Sequence, residues 1–402
     1  MFADLIKLRP HQERAVAAML QHNKGQVIVP TGGGKTLKMI YDALRQFQSE
    51  TPQTIVVVAP RILLAEQLSS EFLEFITNVA VMHVHSGETH HFSTTKPSEI
   101  QMWDSIVSGA FNPDAPKHKL IFTTYNSLNR LQAAEIDVDT IYFDEAHNSV
   151  QRHFFPATEH FAANAKRCYF FTATRKTSLT SSKPGMNDVD VYGNIICRVS
   201  APELVDGGYI IAPKIVAKKF DVLAPKQVTA ECDSDNLTET LDDIDCKKIL
   251  VCVKSAKQLI NLMLHTDCAA QLHQRGYSYL YITSKTGAII DGKKVNREVF
   301  FDTLNAWGRD PNKKFVCLHR SILSEGINVS ELEAVVFLRN MDVIEMTQTI
   351  GRVLRLGGKE KVWGLCVVPV YSKVGVSTER ALQRVVDAVF EKGEMLDSVV
   401  RR

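Results

Sequence analysis

The sequence is short of features that would place it in several large classes. No apolar run approaches the roughly 20 residues that a membrane helix needs. Met1-Phe2-Ala3-Asp4-Leu5 lacks the basic and apolar regions of a secretory leader. A cytoplasmic location is expected, or a nuclear one if the source is eukaryotic or viral, with no membrane partner. None of the eight cysteines (168, 197, 232, 246, 252, 268, 317 and 366) stands in a C-x-x-C pair, so neither a zinc ribbon nor a dithiol redox motif is indicated. In a reducing compartment they read as small buried hydrophobes. There is no repeat of 20–50 residues and no low-complexity tract. Net charge is only +2, which makes no argument for a polyanionic partner.

What is present is a soluble globular composition, 45% hydrophobic and 23% charged, over 402 residues. That length suits two cores rather than one. In the first half, apolar runs at Gln26–Val29, Thr54–Ala59, Lys119–Thr123, Thr140–Phe143 and Arg167–Phe171 alternate with helix-period stretches such as Thr36–Phe47 and Leu63–Phe75. Short apolar strands alternating with helices predict a parallel sheet covered on both faces. Thr177–Asp190 reads as a loop, and Ala201–Pro213, with Gly207-Gly208, as a hinge. A second α/β series follows at Lys248–Val253, Ser278–Thr283, Lys313–Leu318, Ala334–Leu338 and Lys361–Val368, closed by a helical segment, Ser377–Phe390. The expectation is two domains, 1–208 and 209–402. The acidic stretch Cys232–Asp245 reads as a solvated loop.

Val29-Pro30-Thr31-Gly32-Gly33-Gly34-Lys35-Thr36 follows an apolar strand and opens a helix, the context of a phosphate loop. The glycines let backbone N–H groups approach an anion, and the helix N-terminus adds a favourable dipole. Lys35 is expected to reach the β- and γ-phosphates and Thr36 to ligate Mg²⁺. The first position of the usual pattern holds Val29 instead of glycine. Asp144-Glu145-Ala146-His147 ends another apolar strand. Asp144 is the second expected Mg²⁺ ligand, and Glu145 the group that orients the attacking water.

These segments resemble the superfamily 2 helicases. Asp144–His147 looks like their DEAH box and Thr31–Thr36 like their motif I. Further elements occur in the family's order: Arg9-Pro10-His11-Gln12 upstream of motif I, Ala59–Gln67 (Ia), Thr123–Leu128 (Ib), Thr172-Ala173-Thr174 (III), Ile249–Ser255 (IV), Leu323–Val329 (V) and Gln348–Arg355 (VI). The likeness is greatest to DEAH-type helicases related to restriction-enzyme translocase subunits and to phage or large-virus helicases. It implies two tandem RecA-like parallel-sheet domains with ATP at the interdomain cleft.

The resemblance also implies roles for particular residues. Gln12 would contact adenine. Gly326 and Asn328 join the nucleotide site, although Asn328 stands where the family often has Asp. His147, Thr172 and Thr174 would couple hydrolysis to the nucleic-acid site. Gln348, Arg352 and Arg355 would complete the catalytic set, the two arginines sharing a helix face if the segment is helical. Nucleic acid, DNA favoured and RNA possible, would lie against Arg61, Thr124, Tyr125, Lys254, Ser255, Thr283 and Ser284, with Tyr125 stacking on a base. The activity implied is an ATP-dependent helicase or translocase. The alternatives are an ATP-gated clamp or motor subunit without unwinding of its own, and a phosphate-loop enzyme unrelated to nucleic acid. His83, His85, His90 and His91 read as a solvated polar loop, their spacing being irregular for a metal site.

Overall fold

A computed structural model describes residues 6–109, 116–180, 182–220, 228–283, 285–320, 331–339, 343–355, 363–370 and 373–400. The chain divides into two compact units. One runs to Val199 and takes back the chain from Asp397; the other is Ser200–Leu396.

The first unit holds strands β1 (Lys24–Ile28), β2 (Thr54–Ala59), β3 (Val79–Val84), β4 (Phe92–Ser93), β5 (His118–Thr124), β6 (Thr140–Phe143), β7 (Arg167–Thr172), β8 (Lys176–Thr177) and β9 (Ile195–Arg198). Its helices are α1 (Pro10–Gln21), α2 (Lys35–Gln46), α3 (Ile62–Leu73), α4 (Pro97–Ser108), α5 (Leu128–Ala133), α6 (Phe155–Asn164) and α7 (Val189–Tyr192). Eight of these strands form one sheet in the order β4-β3-β5-β2-β6-β7-β1-β9. Every pairing in it is parallel. All residues of β2 and β6 are buried, as strands covered on both faces must be. Because the strands are parallel, their C-terminal ends open on one edge, where α/β sheets bind ligands. β7 lies between β1 and β6, so the segment after β7 separates the phosphate loop from Asp144–His147.

The second unit contains β10 (Ala212–Lys219), β11 (Lys248–Cys252), β12 (Ser278–Thr283), β13 (Gly287–Ile290), β14 (Lys293–Val295), β15 (Phe315–His319), β16 (Ala334–Phe337) and β17 (Trp363–Val370). Its helices are α8 (Ala201–Asp206), α9 (Thr229–Asp243), α10 (Ala256–Leu264), α11 (Cys268–Gln274), α12 (Arg297–Arg309), α13 (Val343–Val353) and α14 (Lys373–Val385). The sheet order is β10-β17-β16-β11-β15-β12-β13-β14. It is parallel except at β12-β13-β14, an antiparallel meander whose turn places Asp291 and Gly292 at positive φ. The last strand, β18 (Ser398–Val399), pairs with β8 in the first unit, and Arg175 makes a bidentate bond to Asp397 there (3.2 and 2.6 Å).

Two sequence expectations change. Ala201–Pro213 is not an irregular hinge: it contains α8, capped by Ser200, and the start of β10. The acidic stretch Cys232–Asp245 is not a loop but most of α9. Asp235, Glu239, Asp242 and Asp243 face solvent while Cys232, Leu237 and Leu241 are buried. Thr238 and Thr240 return their hydroxyls to the carbonyls of Ser234 (2.9 Å) and Asn236 (2.6 Å), which lets polar residues occupy the inner face. Every cysteine is free and seven of them are buried. No helix among the described residues is long and apolar enough to cross a membrane.

The core of the second unit carries an acid-sensitive group. His319 on β15 is 1% exposed, and its Nε2 lies 3.1 Å from the Cys252 sulfur on β11. Burial, with Arg339 and Arg352 adding, pushes its pKa down to about 3. The unfolded chain binds a proton near pH 6.5 that the folded chain refuses, so stability falls as pH drops from about 6.5 towards 3. His319→Leu should remove that slope. Urea unfolding at about pH 7 and about pH 4.5 should show the wild type losing roughly 2 kcal/mol more than the variant. Equal losses would place the protonation elsewhere.

Candidate nucleotide-binding site

The phosphate loop leaves β1 with Val29 N–H bonded to the Thr172 carbonyl (2.9 Å), then turns through Gly33 N–H to Pro30 O (3.0 Å). Gly32 (φ 88°) and Gly34 (φ 69°) take the left-handed conformation, and Gly34 caps α2. A Cβ at Gly34 would fall 2.3 Å from the Gln12 side-chain nitrogen. Glycine is required there on both counts.

Beneath the loop, His11 Nε2 lies 3.1 Å and Lys38 Nζ 2.6 Å from the Gly33 carbonyl. His11 is 1% exposed and Lys38 wholly buried. Burial lowers the Lys38 pKa to about 7. A trans peptide sets its C=O and N–H in opposite directions. Two donors pulling the Gly33 carbonyl inward therefore turn the Gly34 N–H outward, the orientation an anion needs. The Thr31 hydroxyl is buried and makes no hydrogen bond, an orphaned donor at the same loop that fits a phosphate oxygen.

Lys35 and Thr36 open α2. Lys35 donates to Glu145 Oε1 at 3.0 Å, a half-buried ion pair that joins the two sequence motifs. Glu145 itself has φ 45°. Asp144 is 6% exposed. Burial and the neighbouring Glu145 charge raise its pKa well above the usual carboxylate range, to about 7, against the pull of Lys35. Thr36 with the two carboxylates forms a set of hard oxygen donors, the type Mg²⁺ selects.

The third segment joins the second through a chain whose proton order can be assigned. Thr172 gives its hydroxyl hydrogen to the Thr174 carbonyl (2.9 Å), so it accepts from His147 Nδ1 (3.1 Å). His147 Nε2 in turn accepts from Asn148 (3.3 Å), which also donates to the Glu145 carbonyl (2.9 Å). Gln12, Thr31–Thr36, Asp144, Glu145, His147, Thr172 and Thr174 thus meet at one edge of the first unit. Gln12 is 2% exposed, with Oε1 accepting from Arg9 N–H (2.9 Å). It braces the loop against α1.

The strand-contact expectations need correction in part. Tyr125 is 2% exposed. Its ring stacks on Phe143 and Phe154, so no face is left for a base. Its hydroxyl donates to the Asp144 carbonyl (2.9 Å), which makes it a support for the acidic motif. Thr124 is also buried. Arg61 is exposed at the start of α3. In the second unit, Lys254 is exposed and Ser255 caps α10 through Gln258 N–H (3.1 Å). Both line a cavity of about 450 Å³ with Asp233, Gln258, Phe337 and Thr378. Thr283 shares hydroxyl contact with Thr286 (2.8 Å). Ser284, Gly326 and Asn328 lie outside the described residues. Gln348 and Arg352 stand on α13, but that helix ends at Val353, so Arg355 lies beyond it and the two arginines do not share a helix face.

Sequence reasoning missed His11, Lys38 and Asn148. Lys38 left a signal: with Asp42 it places two charges one turn apart on the buried stripe of α2, and Asp42 binds Arg167 bidentately (2.9 and 2.9 Å) and Tyr142 (2.6 Å). Charges on an apolar stripe need partners.

Residues 5–177 match the family described as type III restriction enzyme, res subunit. No curated protein sequence matches the chain. Among solved structures the chain is similar to the ATP-dependent type ISP restriction-modification enzyme LlaBIII bound to DNA, at 17% identity and a TM-score of 0.74, over 98% of this chain and 31% of that one. It is similar to S. cerevisiae Dbp5 bound to RNA and ADP BeF3, at 17% identity and 0.61, over 99% and 90%. It is also similar to Mycobacterium smegmatis helicase Lhr bound to ssDNA and AMP-PNP, at 16% identity and 0.61, over 99% and 50%. The chain therefore spans about a third of LlaBIII. The two units have the architecture of tandem RecA-like domains.

Proposed function

We propose that this chain is an ATP-dependent nucleic-acid translocase or helicase acting on DNA, with a DEAH-type acidic motif. The observation that carries the reading is the loop held by His11 and Lys38, with the orphaned Thr31 hydroxyl inside it and Lys35 paired to Glu145. The likeness to proteins solved with DNA, RNA and nucleotide supports the same reading.

In this proposal Thr31–Thr36 bind the phosphates of ATP, and Thr36 and Asp144 hold Mg²⁺, which neutralises phosphate charge when bound. Glu145 orients and deprotonates the attacking water. His147, Thr172 and Thr174 relay the state of Glu145 to the neighbouring strand end. From motif resemblance, Gln348, Arg352 and Arg355 belong to the catalytic set, Gly326 and Asn328 contact a nucleotide sugar, and Gln12 contacts adenine. Arg61, Lys254, Ser255, Thr283 and Ser284 are the proposed strand contacts, through phosphates rather than bases.

The test is ATP hydrolysis measured alone and with single-stranded DNA, double-stranded DNA or RNA, followed by strand displacement. Stimulation by DNA with directional movement is expected. Nucleotide-dependent DNA binding without movement would select the ATP-gated clamp. Hydrolysis that no polynucleotide changes would overturn the nucleic-acid reading and leave the ATPase site standing.

A further inference from the structure

A second cluster of donors lies on elements the nucleotide site does not use. His83 sits near the end of β3 and His85 two residues on, so the strand's alternation puts both imidazoles on one face. α3 packs over that face and presents Glu66. The spacings are Glu66 Oε1 to His83 Nδ1 3.2 Å, Glu66 Oε1 to His85 Nε2 3.1 Å, and His83 Nδ1 to His85 Nε2 3.0 Å. Three donors around a tetrahedral ion with bonds of roughly 2.0–2.1 Å form an almost equilateral triangle of about 3.3 Å edge. The observed triangle is nearly that size and shape. Far from being a solvated loop, His83 and His85 are 0% and 2% exposed.

Two observations favour a cation over a plain hydrogen-bond cluster. Glu66 Oε1 is buried and makes no hydrogen bond, although two ring nitrogens lie within 3.2 Å. The ring atoms approach it off the axes that N–H donation would use. One outward nitrogen is held as well. His83 Nε2 meets Ser69 Oγ at 3.0 Å, and Ser69 stands three residues after Glu66 on the same helix face. Such an outer contact orients a ligand imidazole. Gly87 N–H donates to His85 Nδ1 (3.2 Å), which leaves the His85 proton on Nε2.

We propose that Glu66, His83 and His85 form a binding site for a Zn²⁺-class divalent cation, with water as fourth ligand. Two imidazoles and one carboxylate suit Zn²⁺ and disfavour Mg²⁺, which demands an oxygen shell. Loading moves the His85 proton from Nε2 to Nδ1, so the Gly87 N–H contact is exchanged and the following loop shifts. A Cβ on Gly87 would lie 2.3 Å from Ile62 Cγ2 at the start of α3. The ion thereby ties the exit of β3 to the helix that Arg61 caps.

The test uses the full chain stripped with a chelator and titrated with Zn²⁺ against a chromophoric competitor. One equivalent is expected to bind, raising the melting temperature, with no competition from millimolar Mg²⁺. Glu66→Ala and His85→Asn should each weaken Zn²⁺ on the order of 100-fold and lose the thermal shift. Should either variant fail to fold, Co²⁺ loaded into the wild type decides. Four-coordinate d–d absorption without a thiolate charge-transfer band supports the site. A thiolate band, an unchanged Zn²⁺ affinity in folded variants, or no Zn²⁺ bound more tightly than Mg²⁺ overturns it.

Discussion

Glu145→Gln should lower kcat for ATP hydrolysis on the order of 10²–10⁴-fold while ATP binding stays at wild-type strength or tightens. The substitution keeps the side-chain shape and removes only the charge and the proton acceptor. Lys35, held by Glu145 at 3.0 Å, is released to the phosphates, so a competitor for the nucleotide disappears. Asp144 also gains. Its pKa is raised first by burial and next by the Glu145 charge, and without that charge it ionises more readily and becomes a better Mg²⁺ ligand. Single-turnover hydrolysis and the affinity of a fluorescent ATP analogue separate the two effects. A parallel fall in rate and affinity would mean that Glu145 serves binding and that the water-activating role is wrong.

The central strands were legible because burial on both faces leaves an apolar run. β2 and β6 are read with their observed limits, Thr54–Ala59 and Thr140–Phe143. Edge strands were not. β10 is half-exposed along most of its length and ends Lys218-Lys219, a composition that protects a sheet edge and hides the strand from a hydrophobicity reading. β13 and β14 are marked mainly by the turn at Asp291-Gly292. α9 was misread because its inner face carries Ser234, Asn236, Thr238 and Thr240 among its apolar residues, the two threonines being satisfied by the helix's own backbone.

The same division holds in the nucleotide site. Thr31–Thr36 and Asp144–His147 are contiguous and carry their chemistry in their own side chains. His11, Lys38 and Tyr125 act on backbone carbonyls (Gly33 and Asp144), and nothing in their residue type announces a carbonyl as target. The Glu66–His83–His85 triangle required the packing of α3 on β3, which no spacing along the chain expresses.

Lys35→Ala should fail at the step that Glu145→Gln preserves. Lys35 is the cation at the mouth of the loop, and its loss removes charge-assisted bonds to phosphate that are stronger than neutral ones. Truncating one partner of a buried, hydrogen-bonded charge pair costs about 2–5 kcal/mol, on the order of 10²–10³-fold in affinity. A second penalty acts through the acids. Lys35 pulls the Asp144 pKa down, so without it Asp144 moves further up and is more often protonated at neutral pH, which weakens Mg²⁺ as well. Raising the pH to about 8.5 should then recover part of the Mg²⁺ dependence, because Asp144 ionises again, but not the phosphate affinity, because no cation returns. Lys35→Arg should not rescue, since a planar fork cannot replace a compact ammonium group in a loop this close. Titrating ATP with and without Mg²⁺ at both pH values measures each part. Wild-type ATP affinity in a folded Lys35→Ala protein would remove the phosphate loop from the site, and with it the reading of this chain as an ATP-driven motor.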